Sequence, residues 1–401
     1  MGSIARKWRE LSGESKWKGL LDPLKIDLRK YLLHYGQLAQ STYDAFNSEK
    51  ASKYAGNCLY SKKDLFSKVN LEKGNPFKYS ITKFIYATSK ASDSESFLLR
   101  SILSKDAWSM ESNWIGYVAV ATDEGKVSLG RRDIVVAWRG TIQGSEWIKD
   151  FHFHLDSAPL IFGLQSPVQI HNGFYSLYTS DNPGFQSANS SARNQVLSEI
   201  SRLVEQYKNE EISITITGHS LGAALAVINS VDIVANKFNI SKEQPQKSCP
   251  VTTFAFASPR VGNSSFGNIF SNYKDLNALL IRNQTDIVPI SLFLGYSEVG
   301  EELLIDTKKS KYLKSGVSSH NLEVYLHGVA GTQGSKGGFN LEVNRDIALV
   351  NKSNDGLKDE YRVPNAWRVV ENKGMVQQFD GTWKLMDDNE DVVLIVRPSK
   401  L

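Results

Sequence analysis

Ile212-Ser213-Ile214-Thr215-Ile216-Thr217-Gly218-His219-Ser220-Leu221-Gly222-Ala223-Ala224-Leu225-Ala226-Val227 is the stretch on which the reading of this chain turns. Its first six residues alternate isoleucine with serine or threonine, which reads as a strand. From Leu221 to Lys237 the composition is rich in alanine, leucine and valine, which reads as a helix. Gly218-His219-Ser220-Leu221-Gly222 therefore lies on a strand-to-helix turn that presents Ser220 as a candidate nucleophile. A sharp turn crowds the backbone, and residues without a Cβ let strand and helix pack closely there. The free amides of the helix N-terminus face the same point and stabilise negative charge.

A serine hydroxyl is a poor nucleophile until a base takes its proton. If the order along the chain is serine, acid, histidine, the base must lie downstream, where only His320 and His327 occur. His320, in the polar loop Ser318-Ser319-His320-Asn321 before an apolar stretch, is the first choice. His327 reads as a helix residue and is the second. The acid that orients the imidazole should follow a core strand. Ala278-Leu279-Leu280-Ile281-Arg282 runs into Asn283-Gln284-Thr285-Asp286, which makes Asp286 the choice over Asp232 and Asp306. Donors for an oxyanion are expected from the Leu221 amide and from Thr141, which the strand Ile134 to Trp138 delivers through Arg139-Gly140.

Working outward, Ile115 to Ala121, Ile134 to Trp138, Ile212 to Thr217, Val251 to Phe256 and Ala278 to Arg282 read as strands. Arg193 to Tyr207 and Leu221 to Lys237 read as helices between them, giving an α/β fold with a mostly parallel central sheet flanked by helices. A helix beginning near Asp22-Pro23, with Leu24, Leu28, Tyr31, Leu32, Tyr35 and Leu38 on one face, is expected to pack on the core. The expected organisation is a helical N-terminal decoration over 1–112, a core over 113–330 and a strand-containing C-terminal extension over 331–401, with Val392 to Val396 strand-like.

The chain has 401 residues, 41% hydrophobic and 22% charged, in the globular range. A net charge of +4 from 47 basic and 43 acidic groups, without a basic arm, excludes nucleic acid as an expected partner. No apolar run approaches the ~20 residues needed to span a bilayer, so membrane contact is expected to be peripheral. Cys58 and Cys249 have no ligand spacing around them, which fits a reducing compartment. Asp150, His152, His154 and Asp156 alternate as metal ligands can, but two histidines lack the ligand count, and neither a metal nor another cofactor is expected. The first ten residues have no apolar signal core, and Arg6 stands where an N-myristoylation motif wants serine or threonine. Ser399-Lys400-Leu401 matches a peroxisomal address.

Taken together these segments resemble the class 3 lipases of the α/β-hydrolase superfamily, most closely the plant intracellular-type phospholipases A1. Trp138-Arg139-Gly140-Thr141 is similar to the family's oxyanion motif, with Glu146-Trp147-Ile148 where the family carries its lid. His171-Asn172-Gly173-Phe174 and Phe256-Ala257-Ser258-Pro259-Arg260-Val261-Gly262-Asn263 resemble two further signatures. Leu21-Asp22-Pro23-Leu24 and Tyr43-Asp44-Ala45-Phe46 resemble the plant branch. The resemblance supports Ser220, Asp286 and His320 as a triad, with the stretch after His320 ending in Tyr325. Ala223 departs from the third glycine that many relatives carry. The resemblance implies hydrolysis of the sn-1 ester of phospholipids, galactolipids or neutral glycerolipids at a membrane or lipid surface, and a cytoplasmic location that the Ser-Lys-Leu ending sets against the peroxisome. Phe151, Phe153, Leu155, Leu160, Ile161, Phe162 and Leu164 are expected to line an acyl groove or lid. The competing expectation is a lipase-like scaffold that binds a ligand without turnover. Oligomeric state is not legible.

Overall fold

The run from Ile134 to Trp138 is buried on both sides in a computed structural model of the chain, which describes residues 2–49, 51–88, 112–141, 154–181, 190–292, 294–368 and 375–385. Its strands in chain order are β1 (Tyr79–Thr88), β2 (Ser112–Ala121), β3 (Arg132–Trp138), the short pair β4 (Leu155–Ser157) and β5 (Gln169–His171), then β6 (Ile212–His219), β7 (Val251–Phe256), β8 (Leu276–Asn283) and β9 (Glu301–Ile305), followed by a second short pair, β10 (Met375–Gln377) and β11 (Trp383–Leu385). The central sheet has the order β1-β2-β3-β6-β7-β8-β9. Within this sheet β1, β2 and β3 pair antiparallel, and β3, β6, β7, β8 and β9 pair parallel. Trp138 pairs with Gly218, His219 with Phe256, and Phe256 with Ile281. That register brings the chain out of β3, β6, β7 and β8 side by side at their carboxyl ends, where ligands meet open α/β sheets.

The main helices are α1 (Ser3–Leu11), α2 (Ile26–Asp44), α3 (Asn172–Thr179), α4 (Ala192–Gln206), α5 (Leu221–Ala235) and α6 (Leu322–Gly331). Ile134, Val136, Trp138, Ile214 and Ile216 share one core with α3, α4 and α5, whereas Val135, Ala137, Phe254, Phe256, Leu279 and Ile281 share the other with α2 and α6. Burial on both faces explains why these strands read as continuous apolar runs. Gly36 of α2 matters here, since a Cβ would stand 2.2 Å from Leu326 and 3.0 Å from Phe256, so α2 lies close against both α6 and the sheet.

One sequence expectation is corrected. Residues 1–112 were expected to form a helical decoration, yet Tyr79–Thr88 is the edge strand β1, so the sheet does not begin at 113. Its residues Ser80, Thr82 and Lys83 are polar and exposed or only partly buried, because this edge strand is only partly covered. β9 was missed for a like reason: Glu302 and Leu304 are exposed at the opposite edge. The helix expected to pack on the core starts at Ile26, and fourteen of its nineteen residues are buried. Val392 to Val396 and Ser399-Lys400-Leu401 lie outside the described residues.

Beneath α2 sits a buried ionic cluster that the sequence reading did not find. Asp133 Oδ1 accepts from Ser213 Oγ at 2.6 Å and Thr215 Oγ1 at 2.8 Å, and its Oδ2 accepts from the hydroxyls of Tyr35 and Tyr79, both at 2.7 Å. Arg131 lies 3.3 Å from the same carboxylate and donates to Tyr31 and Tyr35. A buried charge is tolerated only when paired and fully hydrogen-bonded, as here.

Candidate active site

Ser220 stands between β6 and α5 with φ 59° and ψ −124°, a left-handed backbone that costs a non-glycine residue energy. The turn is held by Ser220 N donating to Phe256 O at 2.9 Å. Both flanking glycines are sterically required. A Cβ on Gly218 would lie 2.3 Å from Gly222 O, and a Cβ on Gly222 would lie 2.4 Å from Trp138 O. The same packing seats Arg139-Gly140-Thr141 on the turn: a Cβ on Gly140 would lie 2.5 Å from His219 O. Leu221 is the first residue of α5, and Thr141 is buried at the exit from β3.

His320 Nε2 is 2.8 Å from Ser220 Oγ, and its Nδ1 is 2.7 Å from Asp286 Oδ2. Asp286 is buried and its carboxylate accepts further bonds, from Tyr325 Oη at 2.6 Å to Oδ2 and from Val288 N at 3.0 Å to Oδ1. With Asp286 as acceptor, His320 carries its proton on Nδ1 and leaves Nε2 free to accept from the serine hydroxyl. The loops bearing the two residues are tied together: Ser319 Oγ donates to Thr285 O at 3.1 Å and Asn283 Nδ2 to Ser319 O at 3.1 Å. Asn321 caps α6 through Val324 N at 3.2 Å, which ends the His320 loop at a fixed point.

Two partners of this chain escaped the sequence reading as chemistry. Tyr325 was noted only as the end of a family pattern, and its hydrogen bond depends on α6 turning it back toward β8. His219 was passed over because it adjoins the serine. Its Nδ1 meets Tyr43 Oη at 2.8 Å and its ring centroid is 4.8 Å from that of His320. Burial, and then the neighbouring His320, hold its pKa well below the ordinary histidine range, so an uncharged ring backs His320.

The other candidates are placed elsewhere. His327 is buried in α6, bonded to Ser310 Oγ at 2.7 Å, and burial lowers its pKa to about 3. Asp232 is paired with Arg193 at 2.6 Å, and Asp306 caps Lys308 N at 3.0 Å. His154 is exposed and pairs with Asp156 at 2.9 Å, while Asp150 and His152 lie outside the described residues, as do Glu146-Trp147-Ile148, Phe151 and Phe153. Among the described residues no group of three or more histidine, cysteine, aspartate or glutamate residues could hold a metal ion. Leu160 and Leu164 are exposed, but Ile161 and Phe162 pack into the core, so only part of the expected apolar lining is free. The two framing signatures meet each other: His171 N donates to Val261 O at 2.9 Å, and Gln169 N donates to Asn263 Oδ1 at 3.2 Å.

Residues 135–295 match the class 3 lipase family. Over its length the chain is 56% identical to phospholipase A1-IIgamma of Arabidopsis thaliana, covering 97% of this chain and 95% of that protein. It is 54% identical to phospholipase A1-II 1 of Oryza sativa, covering 98% of each. Among solved structures it is similar to the Lip2 lipase of Yarrowia lipolytica, at 19% identity and a TM-score of 0.45 over 71% of this chain and 81% of that one. A triacylglycerol lipase of Penicillium expansum is similar at 18% identity and a TM-score of 0.44, over 70% and 80%.

Proposed function

Since the chain belongs to the class 3 lipases, and within them to the plant phospholipase A1-II group, we propose that it hydrolyses the sn-1 ester of phospholipids through an acyl-enzyme on Ser220. The observation that carries this reading is the unbroken chain Ser220 Oγ, His320 Nε2, His320 Nδ1, Asp286 Oδ2 at 2.8 and 2.7 Å. In the proposed reaction Ser220 Oγ attacks the ester carbonyl as its proton passes to His320 Nε2. Asp286 stabilises the resulting imidazolium, and the amides of Leu221 and Thr141, with the Thr141 hydroxyl, receive the oxyanion. Collapse breaks the ester C–O bond, and His320 returns the proton to the departing lysophospholipid oxygen. Water, deprotonated by the same His320, then releases the fatty acid and restores Ser220.

A lipid surface suits the residues that follow Asp286 along the chain: Ile287, Ile290 and Leu294 are 63%, 57% and 79% exposed. No helix among the described residues is long and apolar enough to cross a membrane, so this contact is proposed as peripheral. Purified wild type and Ser220→Ala are to be incubated with mixed-chain phospholipids, galactolipids and triacylglycerols, and the released acid and lyso product identified by mass. Release of the sn-1 chain from phospholipid by wild type alone is expected. Release of the sn-2 chain, or equal release by Ser220→Ala, would overturn the proposal. The compartment is cytoplasm on the family reading, or the peroxisome if Ser399-Lys400-Leu401 is read, and an N-terminally tagged protein imaged with and without that tripeptide distinguishes them.

A further inference from the structure

A cavity of about 760 Å³ lies among α2, the 69–77 segment and residues of the 342–352 and 377–383 segments, away from Ser220. Its volume is that of a small-molecule site. Leu33, Val69, Leu71, Phe77 and Val343 supply apolar wall. Asp44, Glu323, Arg345 and Lys352, all buried, supply a charged one. Lys352 pairs with Asp44 and, at 3.5 Å, with Glu323; Arg345 pairs with Glu323 through Nη2; Arg368 approaches Asp44 at 3.8 Å. Three cations thus share two carboxylates. Arg345 is 8% exposed, yet its Nε and Nη1 have no hydrogen-bond partner among the described residues. A buried charged donor left without an acceptor is costly, and native structures seldom retain one. The remaining carboxylates of the wall do not relieve it, because each is engaged: Glu342 by Asn340, Asp346 by Ala348 N and Trp383 N, Asp380 by Thr382. Lys30 and Lys73 add further positive charge at the wall. Gln377, also on the wall, has an Oε1 without a partner among the described residues, which can accept from a hydroxyl.

We infer that this cavity binds an amphiphile with one acyl chain and one anionic head, the head taken by the free nitrogens of Arg345 and the chain laid along Leu33, Val69, Phe77 and Val343. Long-chain carboxylates and anionic lysolipids share this chemistry. The hydroxyl of a lysolipid would also meet Gln377 Oε1, so that class is expected to bind more tightly than the carboxylate.

The test uses full-length Ser220→Ala protein, so that turnover does not intrude, titrated by calorimetry and tryptophan fluorescence with dodecanoate, dodecanol and lauroyl lysophosphatidate, each below its micellar concentration. Trp383 lines the cavity and is expected to report occupancy. One saturable site for each anionic ligand is expected, with dodecanol weaker by about tenfold or more, the weight of a charge-assisted hydrogen bond. Arg345→Gln should lose a similar factor. Because that change strands Glu323, the double variant Arg345→Gln with Glu323→Gln keeps the local charge balanced, and its thermal unfolding is followed in parallel. Val343→Trp, which fills the apolar wall, should abolish binding. Dodecanol binding as tightly as dodecanoate, absence of a saturable site, or unchanged binding in both Val343→Trp and the double variant would each overturn the inference, the last by placing the ligand elsewhere.

Discussion

Tyr325 completes the set of donors around Asp286, and its hydroxyl bonds the same oxygen that faces His320. A donor to a carboxylate contributes about 1.5–3 kcal/mol. Tyr325→Phe is therefore expected to lower kcat at least tenfold with KM nearly unchanged, since the phenol touches Asp286 rather than the substrate; a change confined to KM would refute its positioning role. Asp286→Asn is expected to fall further, by about 10⁴, because the amide favours the wrong tautomer of His320. His219 belongs to this scale too. Its position inside the pentapeptide was plain from sequence, but nothing local told that Tyr43, from a helix 176 residues earlier, would hold its ring beside His320.

At the scale of elements, the tight junction of β3, β6 and α5 holds Thr141 against the turn that bears Ser220. Gly222→Ala would drive a methyl group into Trp138 O and Arg139 C, both backbone atoms that cannot rotate away. The expected result is a stability loss of roughly 1–3 kcal/mol from overpacking. Displacement of Thr141, proposed above as an oxyanion donor, should also cut hydrolysis by about 10² to 10³. Thermal unfolding and steady-state kinetics on one preparation check both, and normal kcat in a destabilised variant would show that the junction holds the fold but not the donor. The Asp133 cluster ties β3 and β6 to α2 and β1 through four hydroxyls. Asp133→Asn leaves Arg131 buried without its counter-ion and should cost about 3–5 kcal/mol in urea unfolding. A loss below 1 kcal/mol would mean that the tyrosines alone carry the charge.

For the whole molecule, four buried histidines, His219 among them, make stability depend on pH. Burial lowers His34, His171 and His327 to about 3, against an ordinary value near 6.5. Between those values the unfolded chain binds protons that the folded chain refuses, so stability rises with pH. Their contribution is complete above about pH 6.5 and is lost as pH falls toward 3. From pH 6.5 to 5 each histidine should withdraw up to about 2 kcal/mol, a large share of an ordinary folding free energy. Urea unfolding at pH 7 and pH 5 measures the sum. His34→Phe, which keeps an aromatic ring beside Phe77 and Tyr79, should flatten the dependence, and an unaltered slope would remove His34 from the account.

Where structure is local, it was legible in the sequence. The alternation of Ile212 to Thr217 followed by the alanine-rich run after Gly222 announces a strand, a turn and a helix, because side-chain period and backbone sterics act over a few residues. The downstream search for a base then narrowed to His320 and His327 by chain order alone. Edge strands were not legible: β1 and β9 bury one face incompletely, so their polar residues blur the pattern. Nor could sequence say which loops meet. His320 lies 100 residues from Ser220 and 34 from Asp286, and these distances close only through the parallel register of β6, β7 and β8. The donor from Tyr325, the ring held by Tyr43, the buried Asp133 and the cavity around Arg345 all join segments far apart in the chain. Such contacts depend on register and packing between elements, and only the tertiary structure decides them.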